Sequence, residues 1–209
     1  MSKSWSVGRF YRRMRFGEPI VVVSGLPRSG TSMMMRMLEA GGMPMLTDAS
    51  RDADESNPRG YFEFGPTKEM GPDADLRWVA GARGRAVKLV SPLLEHLPPR
   101  YDYRIIFMQR DLGEVIASQN VMLERRGEPR SPITDADLVA RFEAHLRAVR
   151  QLIARRPEMT AIEIAYTDAL NRPLDEARRI NAFLDRPLDE TRMAAAVDRT
   201  LYRNRSDAR

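Results

Sequence analysis

Residues 20–40 constrain the fold most. An unbroken apolar run, Ile20–Val23, feeds a loop bracketed by Gly25 and Gly30. The loop opens into an apolar, methionine-rich segment that stops at Gly41-Gly42. A β-branched run entering a glycine turn reads as a buried strand, here Glu18–Ser24. The segment after the turn reads as a helix opening at Ser29 or Gly30 and ending near Glu39. Met33 with Met37, and Met34 with Leu38, stand four apart, the spacing of a face that packs into a core.

The rest of the chain repeats this alternation. Arg85–Val90, Tyr103–Gln109 and Thr160–Ala165 read as strands. Helices are expected from Asp111 or Leu112 to Arg125, and over Asp135–Arg155, Pro173–Leu184 and Leu188–Val197. Residues 44–75 lack a period and read as a long loop with short pieces of structure. Strands alternating with helices predict a three-layer α/β/α fold, with a central parallel sheet of about four or five strands and Glu18–Ser24 in its middle. The 209 residues suit one domain, 18–209, behind a basic arm, 1–17, that reads as a solvated tail.

In such sheets ligands bind beyond the carboxyl ends of the strands, where the stretch "SGLPRSGTS" (24–32) falls. A glycine-rich turn bares backbone N–H groups, and the following helix adds its positive dipole end, so the loop suits a phosphate. A triphosphate-binding loop places Lys where this chain has Thr31; Ser32 keeps the hydroxyl, and the nearest cation is Arg28. The strand-end carboxylate that would hold Mg²⁺ is also displaced, because Gln109 and Arg110 precede Asp111. These departures argue against metal-dependent triphosphate chemistry. A second anion-binding candidate is "RIIFMQRDLGEVIAS", where Arg110 ends a strand and Ser118 lies about two turns into the next helix. Taken singly, Arg110-Asp111 also reads as a helix-capping pair and Ser118 as a surface serine.

Together, "GLPRSGTS" and "RDLGEVIAS" resemble the motifs of the sulfotransferase family, whose small bacterial-type members use 3′-phosphoadenosine 5′-phosphosulfate (PAPS) and release the bisphosphate PAP. The resemblance extends through "AYTDALNRPLDEARRINAFL" and "RTLYRNR". It implies that Arg28, Ser29, Gly30, Thr31 and Ser32 hold the 5′-phosphosulfate and that Arg110 and Ser118 hold the 3′-phosphate. It also implies that Thr200 and Tyr202 lie on the adenine side, with Arg203 or Arg205 standing in for the basic stretch that closes the nucleotide site in the family. No metal is required in this reading. An arginine hardly loses its proton, so Arg28 is expected to act electrostatically, where charge develops on the leaving phosphate.

The acceptor needs a base. The resemblance places Ser91, not His96, where soluble members carry a catalytic His. His145 reads as a surface or packing residue of its helix. In "DADESNPRGYFEF" the carboxylates Asp54, Glu55 and Glu63 are candidates. Glu63 is the expected base and Lys88 the expected partner of the sulfuryl oxygens; both also read as solvent-facing. Tyr61, Phe62 and Phe64 are expected to pack this segment over the site. Arg125, Arg126 and Arg130 read as a solvated basic loop. The acceptor is expected to be a small molecule, carbohydrate or peptide, and a homo-oligomer is left open.

The formal charge of +5 suits an anionic ligand, but 29 acidic residues among 34 basic ones argue against a nucleic-acid surface. The absence of cysteine excludes disulfides and a thiolate nucleophile. With no apolar leader segment and no run of about 18–20 apolar residues, cytoplasm is the default expectation. Two other readings stay open: a nucleotide-binding protein of this fold without transfer activity, and a phosphate-loop kinase or hydrolase.

Overall fold

A computed structural model describes residues 11–48 and 62–198. Its centre is a four-stranded sheet of β1 (Ile20–Gly25), β2 (Ala86–Val90), β3 (Tyr103–Gln109) and β4 (Met159–Ala165). The order is β2-β1-β3-β4 and every pairing is parallel. The helices are α1 (Thr31–Ala40), α2 (Leu112–Arg125), α3 (Asp135–Arg155), α4 (Tyr166–Asn171), α5 (Pro173–Leu184) and α6 (Glu190–Ala195). The α/β architecture and the central place of the first strand are as the alternation predicts.

All six residues of β1 are buried, because both faces of the sheet are covered. Its side chains alternate between two cores. Val21 and Val23 join Met33, Met34 and Met37 of α1 and Ile180 of α5. Ile20 and Val22 join Val79, Leu94 and Val149 on the other face. β3 divides likewise, with Ile106 and Met108 on the first side and Ile105 and Phe107 on the second. The methionine stripe is therefore core, and each such side chain contributes about 1.5–3 kcal/mol by leaving water.

The differences from the expected elements have local causes. β1 begins at Ile20, not Glu18, because Pro19 has no N–H to give a ladder. The Glu18 carboxylate is instead paired with Arg13 at 2.5 Å and with Arg186. α6 begins at Glu190, not Leu188, because the Asp189 side chain accepts from Arg192 N at 2.9 Å and caps the helix there. α4 follows β4 without a break; its six residues are too few to show a period. In the expected loop, Met45 bridges to Ala86, and Gly65–Glu69 forms a 3₁₀ turn, as do Arg77–Ala82 and Ser91–His96 further on.

Part of the basic arm is not a solvated tail. Residues 11–16 are helical, and Arg12 donates to the buried Asp102 carboxylate at 2.7 Å, just before β3. Among the described residues no helix is long and apolar enough to cross a membrane.

Candidate active site

The carboxyl ends of β1 and β3 bring the two anion motifs together. After Gly25 the chain turns sharply, and two positions in this turn admit only glycine. Gly25 has φ 149°, and a Cβ there would lie 2.5 Å from Ser29 Oγ and 2.7 Å from the Met108 carbonyl. Gly30 has φ 102°, and a Cβ there would lie 2.5 Å from the Tyr166 ring. Gly30 is also the N-cap of α1 and offers no side chain to the helix's first N–H groups. Those groups, with the dipole end behind them, are thus directed at the loop.

Arg28 adopts a left-handed backbone, φ 73°, which is costly for a residue with a side chain. Arg110 of the second motif and Gln119, one residue past it, hold that conformation. Arg110 donates to the Arg28 carbonyl at 3.2 Å, and Gln119 of α2 donates to the Pro27 carbonyl at 3.2 Å. The Arg28 side chain reaches back, its Nε donating to Ser118 Oγ at 3.0 Å. Ser118, two turns into α2, is 4% exposed and not a surface serine.

Arg110 is anchored on two sides. Its Nε donates to Glu114 Oε2 at 2.9 Å, and both side chains are under 10% exposed. Its guanidinium lies 4.5 Å from the centroid of the Tyr166 ring, a cation–π distance. Burial pushes the Tyr166 phenol up, against the opposing pull of Arg110, so the ring stays neutral at pH 7. The capping reading of Asp111 holds as well: its carboxylate accepts from Glu114 N at 3.0 Å.

Ser29 is 1% exposed and its hydroxyl has no hydrogen-bond partner among the described residues; the same is true of the Ser24 hydroxyl beneath it. Unsatisfied buried hydroxyls are costly. At an uncapped helix end beside two arginines they fit an anionic ligand with several acceptor oxygens. A cleft beside the loop is lined by Leu26, Ser29, Gln109, Arg110 and, from α3, Leu146 and Arg150. Thr31 and Ser32 are half-buried in the first turn of α1. Among the described residues no cluster of three or more His, Cys, Asp or Glu side chains is placed to hold a metal.

The acceptor-side candidates are more dispersed. Lys88 is half-buried on β2, opposite Val23 and on the same face as Ala86. Glu63 is half-buried, and Lys68 Nζ lies 2.8 Å from its carboxylate. Phe62 packs against the core on the α1 face, and Phe64 meets the Trp78 ring edge-on at 5.3 Å. Of the loop arginines, Arg130 pairs with Glu124, and Arg126 lies 3.8 Å from Glu128. Asp54, Glu55, Tyr61, Thr200, Tyr202, Arg203 and Arg205 lie outside the described residues.

Three residues that touch the loop or its arginines are not legible as such in the sequence: Glu114, Gln119 and Tyr166. Glu114 had a signal, since it stands four residues after Arg110 on one helix face. His145, read as a surface or packing residue, is half-buried and also makes a polar contact. Its Nε2 lies 2.8 Å from Ser91 Oγ, at the carboxyl end of β2.

The sulfotransferase family model matches residues 73–190, more than half of the chain, and the chain belongs to that family. The sulfotransferase domain of the olefin synthase from Synechococcus PCC 7002 shares its fold. The TM-score is 0.51 at 16% identity, over 91% of this chain and 81% of that one. A sulfotransferase from Alicyclobacillus acidocaldarius aligns at 19% identity over 83% of this chain and 85% of its own, with a TM-score of 0.42. No curated protein matches at a significant level.

Proposed function

We propose that this sulfotransferase uses PAPS and transfers its sulfuryl group to a hydroxyl or amine of a small-molecule, carbohydrate or peptide acceptor. One observation carries the reading. Arg28 and Ser118, from separate motifs 90 positions apart, are joined by a hydrogen bond, with Arg110 bonded to the same loop. This arrangement offers two donor-rich points on one nucleotide, as a donor with phosphates at both ends of its ribose needs.

In this reading the loop N–H groups, Ser29, Gly30, Thr31 and Ser32 hold the 5′ group. Arg110 and Ser118 hold the 3′-phosphate. Thr200, Tyr202 and Arg203 complete the nucleotide side. Arg28 stabilises charge on the departing phosphate. Being always protonated, it acts through its field and its N–H donors and gives up no proton. Lys88 serves the sulfuryl oxygens from the neighbouring strand. To take an acceptor proton, Glu63 has to release the ion pair with Lys68.

Calorimetry with PAP, AMP, and ATP plus Mg²⁺ tests the donor assignment. PAP is expected to bind without metal and more tightly than AMP. Tighter binding of ATP plus Mg²⁺ than of PAP would return the chain to phosphoryl chemistry. An acceptor screen with radiolabelled PAPS then reads transfer. Binding of PAP without any transfer would favour a nucleotide-binding role.

A further inference from the structure

The reaction proposed above needs a group to take the acceptor's proton, and the carboxyl end of β2 carries an arrangement that the donor site does not use. Ser91 follows β2 directly. Its neighbour Val90 pairs with Gly25, the first residue of the phosphate loop, and adjacent strands run about 4.8 Å apart. Ser91 therefore stands beside the start of the loop, three residues after Lys88. It is 1% exposed, and its hydroxyl is 2.8 Å from His145 Nε2. His145 itself is half-buried. The next residue of α3, Leu146, lines the cleft shared by Leu26, Ser29 and Arg110.

We propose that His145 is the general base toward the acceptor and that Ser91 is the positioning residue that fixes its ring; the inference rests on the sulfotransferase reading. With Nε2–H donated to Ser91 Oγ, Nδ1 carries the free lone pair. The acceptor's O–H or N–H proton passes to Nδ1 as its oxygen or nitrogen bonds to sulfur. The bond from sulfur to the 5′-phosphate oxygen breaks, and its electron pair stays on that phosphate, facing Arg28. Each charge that develops has a partner: the proton on the imidazole, the anion against the guanidinium.

The environment keeps the imidazole ready. Burial pushes His145 below its ordinary value, outweighing Glu95 of the 91–96 turn, whose carboxylate favours the protonated form. At pH 7 the ring is neutral and can accept a proton. Glu63, by contrast, already faces Lys68.

The chain has two histidines, so their ring signals can be followed separately by NMR. His145 is expected to titrate below the ordinary imidazole value, and Ser91→Ala is expected to change the His145 ring shifts and leave those of the other imidazole in place. Transfer is then read as ³⁵S from labelled PAPS to a panel of 2-naphthol, a primary alcohol, a primary amine and water. His145→Gln is expected to lower transfer about 10²–10⁴-fold, to remove the rising limb of the pH–rate profile, and to leave PAP affinity unchanged. Added imidazole is expected to restore part of the rate in His145→Ala. PAP calorimetry on each variant shows that it folds. The inference fails alone if wild-type protein transfers ³⁵S and His145→Gln keeps its rate and its pH limb. It also fails alone if the loss appears in Glu63→Gln instead. Failure of the wild type to bind PAP or to transfer to any acceptor overturns the underlying reading as well.

Discussion

Arg28 Nε donates to Ser118 Oγ at 3.0 Å, across 90 positions of the chain. The bond ties the loop after β1 to the helix after β3 and sets the direction of a flexible guanidinium. Hydrogen bonds to charged groups contribute about 1.5–3 kcal/mol. Ser118→Ala is therefore expected to weaken PAP binding about tenfold or more, since it removes a donor to the ligand and the anchor of Arg28. AMP affinity is expected to fall less. Parallel calorimetric titrations check both.

Arg28→Ala separates binding from chemistry. Its field matters most once charge builds on the leaving phosphate. Turnover is expected to fall by about 10²–10³ while PAP affinity changes much less. Equal losses in both would make Arg28 a binding residue only.

Arg110 carries a structural cost that its place in the motif conceals. Arg110→Ala removes the proposed 3′-phosphate contact and also the ion pair with the buried Glu114 carboxylate. Breaking such a pair destabilises by about 3–5 kcal/mol. The double change Arg110→Gln with Glu114→Gln leaves no stranded charge and is expected to unfold at higher denaturant than Arg110→Ala. In the folded double variant, the preference for PAP over AMP is expected to shrink. Urea melts and paired titrations test the two halves.

Gly30→Ala places a methyl 2.5 Å from the Tyr166 ring at φ 102°. Strain of this kind costs on the order of 1–3 kcal/mol. The melting temperature is expected to drop, and Tyr166→Leu in the same chain is expected to recover part of it by relieving the contact.

The pH dependence of stability follows from His145. Its folded value lies below its unfolded one because burial disfavours the cation. The unfolded chain therefore binds more protons in the window between them, and stability rises with pH there. The contribution is complete above the unfolded value, near 6.5, and is lost as pH falls through the folded value. Wild-type protein is expected to lose more stability than His145→Gln between pH 7 and pH 5. Identical slopes would mean that the imidazole is not shielded.

What the sequence disclosed depended on range. Ile20–Val23, the glycines around Arg28 and the four-residue spacing of the methionines are local patterns, and each specified its element. The pairing of Arg28 with Ser118 was legible only as two motifs of one family, because no local pattern encodes a contact across the sheet. Ser91 and His145 lie 54 positions apart, and no local pattern joins them. Their contact depends on how α3 lies over the sheet, and that is decided by core packing of Leu146, Val149 and Ile153. Tyr166 was hidden for a related reason: it sits where a strand passes straight into a short helix, with no turn residue to mark it.

The Arg110–Glu114 pair also bears on how the site responds to its medium. Two opposite charges buried side by side present little net charge to an arriving ion. Long-range attraction and counterion displacement at this point are correspondingly small. Ligand selection there rests on how well oxygen atoms match fixed donors. The affinity for a 3′-phosphate should thus fall only gently as ionic strength rises, more gently than the number of arginines around the cleft suggests.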